Sequence, residues 1–76
     1  MDTELREILE DIRPDVDFDN EKKLIEEHVL ESFDVLTIVA EIEDAFDIKI
    51  RPRDIVPENF NSIEAMAALI TKLQEQ

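Results

Sequence analysis

The chain has no cysteine and no glycine, and tryptophan and tyrosine are missing as well. Without cysteine there is no disulfide, no thiolate metal site and no protein thiol to act as a nucleophile, so any sulfur chemistry has to be imported. Without glycine, tight turns fall to Pro, Asn and Asp. Positive charge is scarce: 8 Lys and Arg stand against 21 Asp and Glu, for a net charge of −13. That balance repels phosphate backbones and anionic lipid, argues against nucleic acid, and favours partners that present Lys and Arg patches. Nowhere is there a run of roughly 18 apolar residues, and Met1-Asp2-Thr3-Glu4 has neither a basic start nor an apolar stretch, so the expectation is a cytoplasmic protein without membrane insertion. The sole histidine, His28, has no Cys or second His with which to anchor an ordinary zinc site. A Gly-rich phosphate loop is absent, and Ser32 with His28 four residues earlier offers no third group to orient a base. We therefore expect no enzyme.

What remains is enough to fold. Hydrophobic residues make up 43% of the 76-residue chain, which fits one small domain over residues 1–76, read as a monomer with a single modest core. Leu5, Ile8, Leu9 and Ile12 share one helical face, predicting a helix that starts near Asp2 or Thr3 and ends before Pro14. From Pro14 to about Leu30 the pattern weakens into a long connection, with Val16 and Phe18 available to pack inward and a short turn expected around Leu24 and Ile25. Connections of this length are usually functional.

Phe33, Leu36, Val39, Ala40, Ile42 and Phe46 trace a second helix, and Ile48 and Ile50 carry the chain out of it. Arg53-Asp54-Ile55-Val56 reads as one helical turn before Pro57. In the last helix Asn61 followed by Glu64 resembles a capping box, and Ile63, Met66, Ala67, Ile70 and Leu73 form one stripe. With no strand pattern, the fold class is all-α: a small four-helix bundle with three main helices and one short one. Leu36, Val39, Ile42, Phe46, Ile63, Met66 and Ile70 are the expected core.

Between Lys23 and Lys49 lie eight carboxylates and no Lys or Arg, and Ser32 stands inside that stretch at the start of the second helix. A serine there ordinarily accepts a hydrogen bond from an early backbone N–H as an N-cap, worth roughly 0.5–2 kcal/mol. The other reading gives the hydroxyl a phosphate-linked group, favoured by the positive end of a helix. Both can hold at different times.

Leu30-Glu31-Ser32-Phe33-Asp34 resembles the Asp-Ser-Leu attachment motif of acyl carrier proteins, in its Asp-Ser-Phe variant. The likeness continues through Val35 to Ile50, similar to the family's second helix and its exit, and through Asp54 to Ile63, similar to the short third helix and the start of the fourth. It covers nearly the whole chain, with Leu30 to Ile63 the most specific part. The resemblance implies that Ser32 Oγ receives 4′-phosphopantetheine from coenzyme A through a separate phosphopantetheinyl transferase. It also implies that the arm's sulfur holds an acyl or aminoacyl group as a thioester, supplying the thiol that the chain lacks. Two departures stand out: Glu31 replaces the usual Asp, moving the charge one methylene outward, and the glycine that often precedes the motif is missing.

Glu31, Asp34, Glu41, Glu43, Asp44 and Asp47 read most simply as a solvated face. In a carrier the same face docks on basic patches of the transferase, of a loading ligase, and of a downstream acyltransferase or synthase. Asp34, Glu41 and Asp44 fall close together on one side of the helix, and with Glu31 they are the expected partner contacts. Val35 and Ile38 are candidates for exposed apolar contacts beside them, although core packing is the more ordinary role of a single apolar helix residue.

Asp15-Val16-Asp17-Phe18-Asp19-Asn20 with Glu26 comes near the EF-hand spacing. Asn20 stands where that loop needs glycine, and Lys22 and Lys23 occupy the eighth and ninth positions, so no metal ligand set is assigned. Two classes of function are carried forward: a phosphopantetheinylated carrier, or an unmodified acidic helical adaptor for basic partners. Within the first, the Ser-Phe pairing and Pro57-Glu58-Asn59-Phe60 look less like the fatty acid biosynthesis form and more like stand-alone aminoacyl carriers, including D-alanyl carriers.

Overall fold

The computed structural model describes residues 2–75. Helix α1 spans Asp2–Ile12, α2 Ser32–Phe46, α3 Pro57–Phe60 and α4 Ile63–Gln74, with a single 3-10 turn at Pro52–Asp54. No strand occurs among the described residues. The all-α expectation holds, with three long helices and a short one. The radius of gyration is 11.2 Å, close to the roughly 11 Å of a well-packed chain this long.

The core forms where the predicted stripes meet. Leu5 and Leu9 of α1, Ile38, Val39 and Ile42 of α2, and Ile63, Met66, Leu69 and Ile70 of α4 are buried together. The long connection adds Phe18, Leu24 and Leu30, and Phe60 closes the core from α3. Val16 packs at its edge, as its spacing beside Phe18 suggested. The turn at Leu24 and Ile25 is present: the N–H of Glu27 donates to the Lys23 carbonyl at 2.9 Å, and that of Leu30 to the Leu24 carbonyl at 2.9 Å.

Four local expectations need correction. Leu36 is not core: it is 60% exposed, on the wall of an open groove that no helix fills. Ile38, offered as a surface contact with core packing as the more ordinary role, takes the core role and is completely buried. The cap of α4 is Ser62, whose Oγ accepts from the Ala65 N–H at 3.1 Å. Asn61 instead binds the long connection, where its Oδ1 accepts the N–H groups of Ile25 and Glu26 at 3.0 and 3.2 Å. Finally, the turn expected over residues 53–56 divides into the 3-10 turn at Pro52–Asp54 and α3, which starts on Pro57. Proline suits that first helical position because its missing N–H would have had no partner there.

In this glycine-free chain two of the described residues lie in the left-handed region, His28 with φ 59° and Asp47 with φ 54°. Asp47 ends α2, and its N–H returns to the Glu43 carbonyl. His and Asp are among the residue types that tolerate this region best.

Candidate functional site

Ser32 is the first residue of α2, and Glu31 takes the N-cap position with extended φ/ψ of −99° and 170°. The Glu31 N–H donates to Asp34 Oδ2 at 3.1 Å, which is the reciprocal arm of a capping box. The expected cap at Ser32 therefore moves back by one residue. The Ser32 side chain is exposed, and among the described residues nothing hydrogen-bonds its hydroxyl. An exposed hydroxyl with no hydrogen bond to hold it is open to modification.

Beside Ser32 lies an apolar groove of about 610 Å³. Ile25, His28 and Leu30 form its loop wall, Val35 and Leu36 its α2 wall, and Ile55, Val56, Pro57 and Phe60 the far side. Phe33, 78% exposed, stands next to the serine, so the start of α2 presents a ring and a leucine to solvent in an otherwise acidic face. His28 sits on the groove's wall as an exposed residue.

The predicted acidic contacts separate into two kinds. Glu31, Glu41 and Asp44 are exposed. Asp34 is turned inward, its side chain only 15% exposed, and its Oδ2 accepts from Arg13 Nη1 at 2.7 Å. The same nitrogen donates to the Val29 carbonyl at 3.2 Å, while Arg13 Nε and Nη2 bind the two oxygens of Asp15 at 3.0 and 2.9 Å. Hydrogen bonds that Arg13 donates to Asp15 and then to Asp34 push its pKa up, and the guanidinium holds the Asp15 carboxyl below its ordinary value. Glu43 is also engaged, accepting the Ile50 N–H at 2.8 Å. On the other side of Glu41, α1 contributes Glu4, Glu7, Glu10 and Asp11 to a shared acidic groove. Helical spacing places these four opposite the apolar stripe of α1, a signal in the sequence that the apolar pattern alone does not carry.

The loop from Asp15 to Glu26 spends its oxygens on protein groups. Asp15 binds Arg13, Asp19 pairs with Arg6, and Glu26 accepts from Asn61 Nδ2 at 3.1 Å. Asp17 accepts the Asp19 N–H at 3.2 Å and Asn20 Nδ2 at 2.6 Å, and Asn20 holds its carboxyl low.

A family model described as the phosphopantetheine attachment site matches residues 3–70. The chain belongs to that family. Members carry covalently attached 4′-phosphopantetheine and act as carriers, not catalysts. The exposed serine at a helix start beside an apolar groove is a fitting place for such an arm, which the acidic face leaves open to partners. Among curated proteins, the chain is similar to the D-alanyl carrier protein of Lactococcus lactis subsp. lactis (strain IL1403) and to that of L. lactis subsp. cremoris (strain MG1363). Each is 30% identical over 67 residues, covering 88% of this chain and 80% of the relative. No solved structure matches the chain significantly. No helix among the described residues is long and apolar enough to cross a membrane.

Proposed function

We propose that Ser32 is the attachment residue and that the protein is an aminoacyl carrier of the D-alanyl kind, loaded by a dedicated adenylating ligase and unloaded by a downstream acyltransferase. The observation that carries the first half is the unbonded, exposed Ser32 hydroxyl at the start of α2, beside the apolar groove. The similarity to two D-alanyl carrier proteins supports the second half. When bound, the group supplies a long flexible arm ending in a thiol, the function this cysteine-free chain lacks.

Ser32 forms one bond in this scheme. Its Oγ attacks a phosphorus of the coenzyme A pyrophosphate, the bridging P–O bond breaks, the nucleotide leaves as 3′,5′-ADP, and the hydroxyl proton passes to a base on the transferase. Glu31, Glu41 and Asp44 steer the basic partner, with Asp34 adding to the same field from its inward position. Phe33 and Leu36 add apolar area next to the reacting oxygen. The carrier works as a cytoplasmic monomer meeting one enzyme at a time.

The test is intact mass after incubation with coenzyme A, Mg²⁺ and a broad-specificity phosphopantetheinyl transferase, with Ser32→Ala alongside. One phosphopantetheine increment on the parent only is the expected result. An increment on Ser32→Ala would overturn the site, and no increment on either protein would favour the unmodified adaptor. Incubating the modified protein with D-alanine, ATP and a D-alanine-activating ligase then tests the cargo.

A further inference from the structure

Three pinned points surround Ser32, and one side chain reaches two of them. Arg13 follows α1 directly, yet its Nη1 donates to the Val29 carbonyl, three residues before Ser32, and to Asp34 Oδ2, two residues after it. That Asp34 oxygen also accepts the N–H of Glu31, the residue just before the serine. We infer that Arg13 is a positioning residue for the attachment serine: by tying the Val29 carbonyl to the Asp34 carboxylate, it sets the direction in which the Ser32 hydroxyl leaves the helix. The inference rests on the carrier reading of Ser32, but concerns a residue that touches neither the serine nor its arm.

The geometry suits a fork and not a point charge. Arg13 uses Nη1 on the site, at 3.2 and 2.7 Å, and turns Nε and Nη2 onto the two Asp15 oxygens, at 3.0 and 2.9 Å. A planar guanidinium with fixed donor directions satisfies all four acceptors together, whereas an ammonium cannot span them. Asp15 holds the guanidinium from the outer side, so its orientation is set before a partner arrives. The Arg13 side chain is 28% exposed and that of Asp34 15%, which leaves the pair less screened than the loop's other ion pairs. The segment being held needs such a hold. It follows His28 in the left-handed region, and Val29 is only partly packed on the core. Asp34 is thereby spent on internal order, and Glu31 is the exposed carboxylate beside the serine.

The test compares the parent with Arg13→Gln and Arg13→Lys. Amide hydrogen exchange on the apo proteins is read first, since it needs neither transferase nor arm. In Arg13→Gln the Glu31 amide should exchange about tenfold faster or more, following the loss of a charge-assisted bond, while amides within α4 keep the parent's rates. In the transferase reaction, kcat should fall about tenfold for Arg13→Gln with little change in KM, because docking acids stay and the nucleophile's direction is lost. Arg13→Lys should recover only part of kcat. Parent-like exchange at Glu31 in Arg13→Gln would overturn the inference, as would full recovery of kcat by Lys or a rate loss shared by amides throughout the core. Failure of the parent itself to take the arm would remove the carrier reading, and the exchange comparison would still decide whether Arg13 orders the turn.

Discussion

The backbone N–H of Glu31 donates to the carboxylate of Asp34 at 3.1 Å, and this bond spans Ser32 without using it. Capping duty is thereby separated from the exposed hydroxyl. Ser32→Ala should change stability by no more than about 0.5 kcal/mol, as for other surface substitutions, while removing the proposed attachment point. Urea unfolding and intact mass on the same preparation check both halves. A loss of more than about 1 kcal/mol would return the cap to Ser32.

Asn61 joins distant parts of the chain: its Oδ1 takes the N–H groups of Ile25 and Glu26, and its carbonyl takes that of Leu24 at 2.9 Å. Asn61→Ala keeps the carbonyl but strands two loop donors, and should cost about 1–3 kcal/mol. Chemical denaturation measures it. A neutral result would mean that water replaces the amide at no cost.

Asp47 ends α2 with φ 54°, a place where glycine is the common choice. Asp47→Gly should raise stability by about 0.5–1 kcal/mol, and Asp47→Val should lower it. Asp47→Asn separates backbone from charge, because it removes the carboxylate while tolerating the same φ. If Asn and Gly stabilise equally, charge and not backbone is the cause.

Acid should strip away three contributions. Arg13 holds Asp15 below its ordinary 3.8, Asn20 does so for Asp17, and Lys22 holds Glu64 below 4.5. A carboxylate whose pKa is lowered by folding favours the folded state in full above its ordinary value, and that help vanishes as pH falls through the lower folded value. Between about pH 5 and pH 3, stability should therefore fall less steeply for Asp15→Asn than for the parent. Parallel profiles would show that the Arg13 pair is not linked to folding.

Glu41 and Asp44 are exposed and make no ion pair among the described residues, unlike Asp34. Glu41→Lys and Asp44→Lys together should weaken modification by a basic transferase, and the loss should shrink as salt rises, since exposed charges are screened over roughly 8 Å at physiological ionic strength. Asp34→Lys should behave differently, with a defect that salt does not relieve, because it also breaks the bonds to Arg13 and Glu31. Equal salt dependence for the two would dissolve the distinction.

The helices were legible because apolar residues recur at helical spacing and Pro14 marks a stop; Leu5, Leu9, Ile42, Met66 and Ile70 lie in the core as that spacing requires. Leu36 was misjudged because periodicity locates an apolar arc, not whether another element covers it. The caps slipped by one residue at Glu31-Ser32 and at Asn61-Ser62, where neighbouring polar side chains can each reach a free helix N–H. The bonds from Arg13 to Asp34 and from Asn61 to Ile25 left no local trace, since they span 21 and 36 residues. The likeness around Ser32 pointed to the site, but not to the inward turn of Asp34.

Besides its ties to Arg6 and Arg13, the connection between α1 and α2 is tethered near the far end of the chain: Leu24 and Ile25 on Asn61, and Lys22 on Glu64. Those links close long spans, whose entropic cost is recovered only once residues 61–64 are in place. The loop wall of the groove should therefore be the last part to set during refolding, with the Ile25 amide gaining protection after those of α4 in pulse-labelled exchange. A lesion in the final helix would then be felt first at the serine's doorstep, long before the bundle itself comes apart.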